Sequence, residues 1–290
     1  MTGEKPALLA AGGTGRLLYP LAWLLVIVYV NTFELWALLV NAIGAERAAL
    51  VPFVTLALGL TGGGLTGGWI FLRRPATARQ AIRICPLLLI MGLALAALGL
   101  ALTDPAYPAK RIHVPQYLLL ALVLRRALSD HVGGAVLTAA TVLVTVIFGI
   151  HDEMLQGLHP SRSYGLRDMV VNATGGAAGA LMAAGAGLWR GPSSRTVIPF
   201  RIGVAGMIHL TSLVFLVMSL MTYVWTGPVG QPPPVWVGAP LALASLALMA
   251  VVRSARPPPS IRHVCMVTAW ITLPFALYPV IPHVTPLVFH

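Results

Sequence analysis

Nine residues whose side chains can bind a ligand or transfer a proton lie in three short stretches of an otherwise apolar chain. They are Lys110, His113, Tyr117, Asp152, Glu153, Gln156, Arg162, Asp168 and Asn172. His113 and Tyr117 are four positions apart, so they share one face of a predicted helix. Asp152 and Gln156 have the same spacing. The mixture of cationic and anionic groups suits a zwitterionic or sugar-phosphate ligand, with Arg162 as a two-pronged donor to a phosphate or carboxylate.

The third stretch opens a predicted helix with one continuous stripe of polar and glycine residues. Asp168, Asn172, Gly175 and Gly179 stand at offsets of 0, 4, 7 and 11, and therefore on one helix face. Glycines at this spacing let two helix backbones approach closely, so we predict that Gly175 and Gly179 pack against a neighbouring helix. A group of glycines at 62–64 and 67–68 predicts the same for an earlier helix.

The elements that carry these residues are predicted to be membrane-spanning helices. Of the 290 residues, 58% are hydrophobic and only 9% are charged, whereas a soluble domain carries about 25% charged residues. Lipid must therefore cover much of the surface. The net charge of +11 arises from Lys and Arg in short clusters between apolar runs. This pattern orients membrane helices and does not form a nucleic-acid groove, so we expect no nucleic-acid partner.

Nine apolar runs are long enough to cross a bilayer. They are residues 17–42, 49–72, 84–103, 113–129, 132–151, 168–189, 198–224, 235–253 and 263–284. With the N-terminus inside, 14 of the 19 Lys and Arg residues fall in inner segments and only five in outer ones. The predicted fold is therefore all-α: a polytopic transmembrane helical bundle of about nine spans, with a cytoplasmic N-terminus and the C-terminus outside. The first run is long enough to tilt or break, and three prolines interrupt the last.

This topology places the three polar stretches at one depth, at the outer ends of the fourth, fifth and sixth spans. Structural roles exist for single residues, since Asp168 suits the first turn of a helix and Asn172 suits an interhelical hydrogen bond. The convergence of all three stretches at one depth nevertheless favours a polar site. Glu34 lies in the outer half of the first span. It is either a functional intramembrane carboxylate or a group that reaches the interface or an outer arginine.

Other chemistries fit the same residues less well. His151, Asp152, Glu153 and His159 are metal-ligand types, but the first three point in different directions from one helix. The chain also lacks a His-Glu-x-x-His spacing and a nucleophile elbow. An acid–base pair at Asp152 and Glu153 is chemically feasible, but neighbours on a helix rarely reach one reacting atom. We therefore predict no metal, no cofactor and no catalytic residue.

The order of these motifs resembles the VanZ-like family of bacterial membrane proteins. The matching run is Lys110-x-x-His113-x-x-x-Tyr117, then Asp152-Glu153-x-x-Gln156, then Pro160-x-Arg162, then Asp168-x-x-x-Asn172-x-x-Gly175-x-x-x-Gly179. In that family, as here, the Asp-Glu-x-x-Gln motif closes one helix, and the Arg, Asp, Asn and Gly open the next. Gln116 and Ala109 depart from the family pattern, because many members carry an acid at these positions.

The resemblance covers residues 84–190 and divides the chain into three parts. It implies a VanZ-like core of four helices at 84–190, two additional N-terminal helices in 1–83 and three additional C-terminal helices in 191–290. It also implies a multi-pass protein of the bacterial cytoplasmic (inner) membrane. The member that gives the family its name is linked to low-level teicoplanin resistance, so the resemblance implies a comparable envelope role.

Three classes of function stay open, and an enzyme acting on an envelope lipid is less expected than any of them. The first is recognition of an envelope lipid, a lipid-linked glycan or a lipoglycopeptide by the outward-facing polar site. The second is a proton-linked transporter or flippase that uses His113, Asp152 and Glu34. The third is an accessory subunit of a membrane protein complex, with glycine-rich faces that meet partner helices. The expected partners are accordingly membrane lipids, an envelope ligand and other membrane proteins.

Overall fold

The computed structural model describes residues 11–73, 85–159, 165–192, 198–227, 231–287 and 289, which form helices joined by short connections. The helices are α1 (Ala11–Val30), α2 (Thr32–Ile43), α3 (Ala45–Arg73), α4 (Pro86–Leu102), α5 (His113–Leu128), α6 (Gly134–Gly157), α7 (Leu166–Gly185), α8 (Phe200–Thr226), α9 (Ala239–Ala255), α10 (Pro259–Thr272) and the one-turn α11 (Ile281–Val284). Short 3-10 segments occupy Pro108–Ile112, Val235–Gly238 and Leu273–Leu277. No β-strand occurs in these ranges, so the predicted all-α class is confirmed for them.

Several of these helices are long and apolar enough to cross a membrane. Among the described residues, four pass this test by length and composition: α6, α8, α9 with the 3-10 segment before it, and α10 with the 3-10 segment after it. A fifth span results if α1 and α2 count as one bent span. The apolar helix α4 is shorter, with 17 residues. The described part of the chain therefore has four to five candidate membrane spans by these criteria, fewer than the nine expected from the sequence.

The first predicted span, 17–42, is two helices. α1 and α2 meet at Asn31 with a bend of 60° between them. Nδ2 of Asn31 donates to the carbonyl oxygen of Ile27 at 2.7 Å, and side-chain hydrogen bonds of this kind compete with helix continuity. α2 then ends at Gly44, whose φ of +85° is a conformation that favours glycine.

The last predicted span, 263–284, is also interrupted. α10 begins earlier than predicted, at Pro259, and gives way to 3-10 geometry after Thr272. Pro274 explains the change because it has no N–H to donate to the carbonyl four residues earlier, and because its ring clashes with that carbonyl.

α7 is the centre of the part of the fold that carries the polar stretches, and it packs against α4, α5 and α6. Its glycines make this contact feasible. A Cβ atom at Gly175 would lie 2.8 Å from the carbonyl oxygen of Val114, and one at Gly179 would lie 2.6 Å from that of Leu118. Because Cβ atoms do not tolerate such distances, α5 reaches α7 only over glycine. The glycines at 62–68 lie within α3, and their packing stays a prediction.

The helices that come before and after α4–α7 in the chain complete the bundle. α1 packs against α5 and α6, while α10 joins α6 to α9, which in turn packs against α8. α5 and α7 begin, and α4 and α6 end, on one side of the molecule, which we call the His113 end. At the other side, the Arg125 end, Nε of Arg125 donates to the carbonyl oxygen of Leu188 at 3.0 Å. The alternating direction of the helices therefore brings the three polar stretches to the same end.

Candidate functional site

The carboxyl group of Asp152, near the end of α6, accepts hydrogen bonds on both oxygens. Oδ2 accepts from the hydroxyl of Tyr117 in α5 at 2.9 Å, and Oδ1 accepts from Nε2 of Gln156 at 2.8 Å. Nδ1 of His113 lies 3.9 Å from the same Oδ2. Asp152 and Tyr117 are fully buried. A carboxyl group removed from water needs donors of this kind to offset its lost hydration.

Glu153 links α6 to α7. Its Oε1 accepts a hydrogen bond from Nδ2 of Asn172 at 3.3 Å, and both residues are fully buried. This bond orients the amide, because a carboxylate accepts and only the amide nitrogen donates. Oδ1 of Asn172 then has no hydrogen-bond partner within the described ranges. Gly149 allows α6 to lie close to α5 and α7, since a Cβ atom at this position would lie 3.0 Å from Cβ of Asn172 and 3.3 Å from Cε1 of Tyr117.

An ion pair forms the rim of the cluster. Nζ of Lys110 lies 2.5 Å from Oδ2 of Asp168 and joins the 3-10 segment before α5 to the first turn of α7. The Lys110 side chain is 20% exposed and that of Asp168 is 9% exposed. Beside this pair, Nε of Arg167 donates to the carbonyl oxygen of Leu102 at 2.6 Å, which satisfies one of the free carbonyls at the end of α4. The rim is therefore the part of the cluster that reaches the molecular surface.

α1 and α2 add side chains that the sequence patterns did not group with the cluster. The hydroxyl of Tyr29 donates to the main-chain oxygen of Gln116 at 2.9 Å, and its ring centroid lies 5.7 Å from that of Tyr117. Nε2 of Gln116 donates to Oγ1 of Thr32 at 3.0 Å. The break at Asn31 is thus docked on the turn of α5 that holds Tyr117. Only the presence of a tyrosine inside an apolar run hinted at this role.

Glu34 and His159 lie apart from the buried carboxyl groups. Glu34 is in the first turn of α2, and its Oε1 is 3.9 Å from Nε2 of His159. Both side chains are about half exposed, so Glu34 is a surface group. Within the described part of the chain, no three His, Cys, Asp or Glu residues come close enough together to hold a metal ion.

His151, which lies beside the cluster in the sequence, makes its contacts with α10 and the residues after it. Its Nε2 is 2.7 Å from the carbonyl oxygen of Ile271, and its Nδ1 is 3.0 Å from the hydroxyl of Tyr278. Because a carbonyl only accepts, Nε2 carries the proton and Nδ1 accepts from the hydroxyl. The ring stacks on Phe275 with 3.6 Å between centroids. The change to i→i+3 bonding near Pro274 frees a carbonyl oxygen, which His151 satisfies.

A second buried histidine, His209, belongs to a group of polar side chains that connects α8, α9 and α10. Its Nε2 in α8 is 2.6 Å from Oγ1 of Thr272 in α10, and Oγ of Ser245 in α9 is 3.5 Å from the same oxygen. The Thr272 hydroxyl in turn lies 2.9 Å from the carbonyl oxygen of Thr268. Contacts of this kind hold membrane helices together. No sequence pattern predicted these contacts, because a lone histidine in an apolar run has no spacing pattern.

Eight of the nine predicted site residues lie at the His113 end. Arg162 is the ninth and falls outside the described residues. The eight form two layers: a buried layer around the Asp152 and Glu153 carboxyl groups, and the partly exposed Lys110–Asp168 pair above it. The buried layer holds acceptor oxygens in fixed positions, and the rim carries an ammonium and a carboxylate that are partly exposed. No family model, curated protein or solved structure matches this chain.

Proposed function

We propose that this chain is a VanZ-like protein of the bacterial cytoplasmic membrane whose His113 end faces outward and recognises the headgroup of an envelope lipid, a lipid-linked glycan or a lipoglycopeptide. The observation that carries this proposal is the rim pair, which lies at the same end of the bundle as the buried carboxyl groups and stays partly exposed. A ligand phosphate or carboxylate replaces Asp168 as the partner of Lys110. A ligand ammonium or hydroxyl then donates a hydrogen bond to the carboxylate of Asp168. The biological role is then comparable to that of the teicoplanin-resistance member.

The proposal includes nine spans with the N-terminus inside. In support, α5 and α7 begin at the end where α4 and α6 finish, as consecutive spans require. In this proposal α1 crosses the membrane and α2 lies near the outer surface, with the 60° bend at Asn31 between them. Arginines near helix ends at the Arg125 end, such as Arg126 and Arg253, suit a cytoplasmic face.

The proposal is tested by lipid retention in native mass spectrometry of the purified protein. We expect wild type to carry a defined envelope lipid or glycolipid, and a Lys110→Met/Asp168→Asn variant to lose it. The matched control is Arg126→Met/Asp130→Asn, which removes an ion pair of equal length, 2.5 Å, at the Arg125 end. The control keeps the lipid. Equal retention by wild type and both variants contradicts headgroup recognition at the His113 end.

A second candidate function is proton-linked transport, and it is favoured by the burial of two adjacent carboxyl groups in α6, a candidate span. Ionisable groups inside membrane helices often carry protons in transporters. In proteoliposomes with an internal pH-sensitive dye, this function requires ligand-dependent proton flux that is lost in Asp152→Asn. Headgroup recognition alone requires no proton flux, so the dye signal distinguishes the two functions.

A further inference from the structure

A groove on the outside of the bundle lies near the Arg125 end, away from the candidate site. It has a volume of about 650 Å³ and is lined by Leu88 of α4, Leu181 of α7 and a face of α6 that includes Ala135, Thr138 and Ala139. Small side chains on this face of α6 leave the space open. Since α6 is a candidate membrane span, an apolar groove on its outer face is suited to lipid hydrocarbon.

A buried cation lies directly behind the groove wall. Arg125 is only 3% exposed, and its Nη1 donates to Oγ1 of Thr138 at 3.1 Å. Its Nε donates to the carbonyl oxygen of Leu188, which is uncharged. Within the described ranges, no carboxylate lies within 4.0 Å of this guanidinium. A buried charge without a counter-charge is costly, so the positive field at Thr138 favours an anion.

Two further features at the same place favour an anion. Thr138 accepts the hydrogen bond from Arg125, and its own hydroxyl donates to no acceptor among the described residues. α6 also begins here, at Gly134, without a side-chain cap. The N-terminus of a helix carries a partial positive charge, which adds to the field of Arg125.

We propose that the groove binds an anionic phospholipid, with one acyl chain along α6 and the phosphate beside Thr138, in the field of Arg125. The chemistry of the groove argues for this occupant. Any acyl chain fits the apolar walls, but a zwitterionic or uncharged headgroup leaves the buried guanidinium without a net counter-charge. The site is independent of the proposed function, because it lies at the opposite end of the bundle.

The test is competition between two lipids in native mass spectrometry. The purified protein is placed in micelles with equimolar dioleoyl phosphatidylglycerol and dioleoyl phosphatidylethanolamine. We expect wild type to retain phosphatidylglycerol with a preference of about fivefold, the order expected for one cation near a lipid headgroup. Ala139→Phe fills the groove and abolishes this retention. Ala97→Phe, at an exposed alanine of α4 outside the groove, leaves it unchanged.

Two variants test the polar groups beside the groove separately from the volume of the groove. Arg125→Gln removes the charge and reduces the preference toward equal binding. Thr138→Val removes the hydroxyl at almost constant volume but keeps the charge, so it lowers the retention of both lipids, and it tests the position of the phosphate even if Arg125→Gln fails to fold. No preference in wild type, full retention in Ala139→Phe, or unchanged retention of both lipids in Thr138→Val overturns the proposal. The Lys110→Met/Asp168→Asn variant keeps the preference, which separates this site from the one at the His113 end.

Discussion

Tyr117 and Asp152 are 35 positions apart and on different helices, yet the hydroxyl of Tyr117 donates a 2.9 Å hydrogen bond to Oδ2 of Asp152, and both residues are fully buried. With Gln156 on the other oxygen, the carboxyl group is held in one orientation. The contact joins α5 to α6 at the level of the polar cluster. It therefore serves both the stability of the bundle and the geometry of the candidate site.

Tyr117→Phe is expected to destabilise the protein by about 1–2 kcal/mol, because the buried carboxyl group loses one donor. Thermal unfolding in detergent measures the change. Tyr107→Phe is the matched control, since Tyr107 is largely exposed and the same hydroxyl is removed. Equal unfolding temperatures for wild type and Tyr117→Phe would show that the hydrogen bond contributes nothing to the fold.

Gly179→Ala and Gly206→Ala are expected to change stability in opposite directions. A Cβ atom at Gly179 meets the carbonyl oxygen of Leu118 at 2.6 Å, so overpacking costs about 1–3 kcal/mol. A Cβ atom at Gly206 in α8 meets nothing within 4 Å, so the better helix propensity of Ala adds up to about 1 kcal/mol. Thermal unfolding of both variants measures whether each substitution lowers or raises stability. A stabilising Gly179→Ala would refute the close approach of α5 and α7.

His151→Leu is expected to cost about 1–3 kcal/mol because the carbonyl oxygen of Ile271 loses its donor. Pro274→Ala restores a backbone donor and lets α10 continue, so the carbonyl no longer depends on the imidazole. The cost of His151→Leu is therefore smaller in a Pro274→Ala background. A double-mutant cycle of unfolding free energies measures this coupling. Additive effects would show that the proline break and His151 act independently.

Cysteine labelling tests the proposed orientation. In a chain with Cys85 and Cys265 replaced by Ala, a membrane-impermeant maleimide is expected to label Ala106→Cys in intact cells. Ala106 lies in the exposed connection between α4 and α5 at the His113 end. Ser254→Cys, exposed at the end of α9 on the opposite side, reacts only after permeabilisation. The reverse pattern would place the polar cluster on the cytoplasmic side and contradict an envelope ligand.

The sequence predicts the local part of this arrangement better than the long-range part. Helical spacing pairs His113 with Tyr117, and alternating helix direction brings Asp152 to the same end, so these contacts follow from patterns along the chain. The contacts of Tyr29 and His209 do not follow, because they depend on which apolar helix packs beside which. The bend at Asn31 was also missed as a definite break, since a single Asn in an apolar run differs little from one facing a neighbouring helix.

The contact between His151 and Ile271 has a consequence for how the protein can be divided. Segment 84–190, predicted from the sequence to be a four-helix core, contains every residue of the cluster except those of α1 and α2. Cut off after residue 190, however, that fragment would lack the carbonyl oxygen of Ile271 that accepts from the imidazole of His151, the residue immediately before Asp152. The C-terminal helices are therefore part of the scaffold that fixes the carboxyl group. A shortened version of this protein that keeps the geometry of the cluster has to include the C-terminal helices.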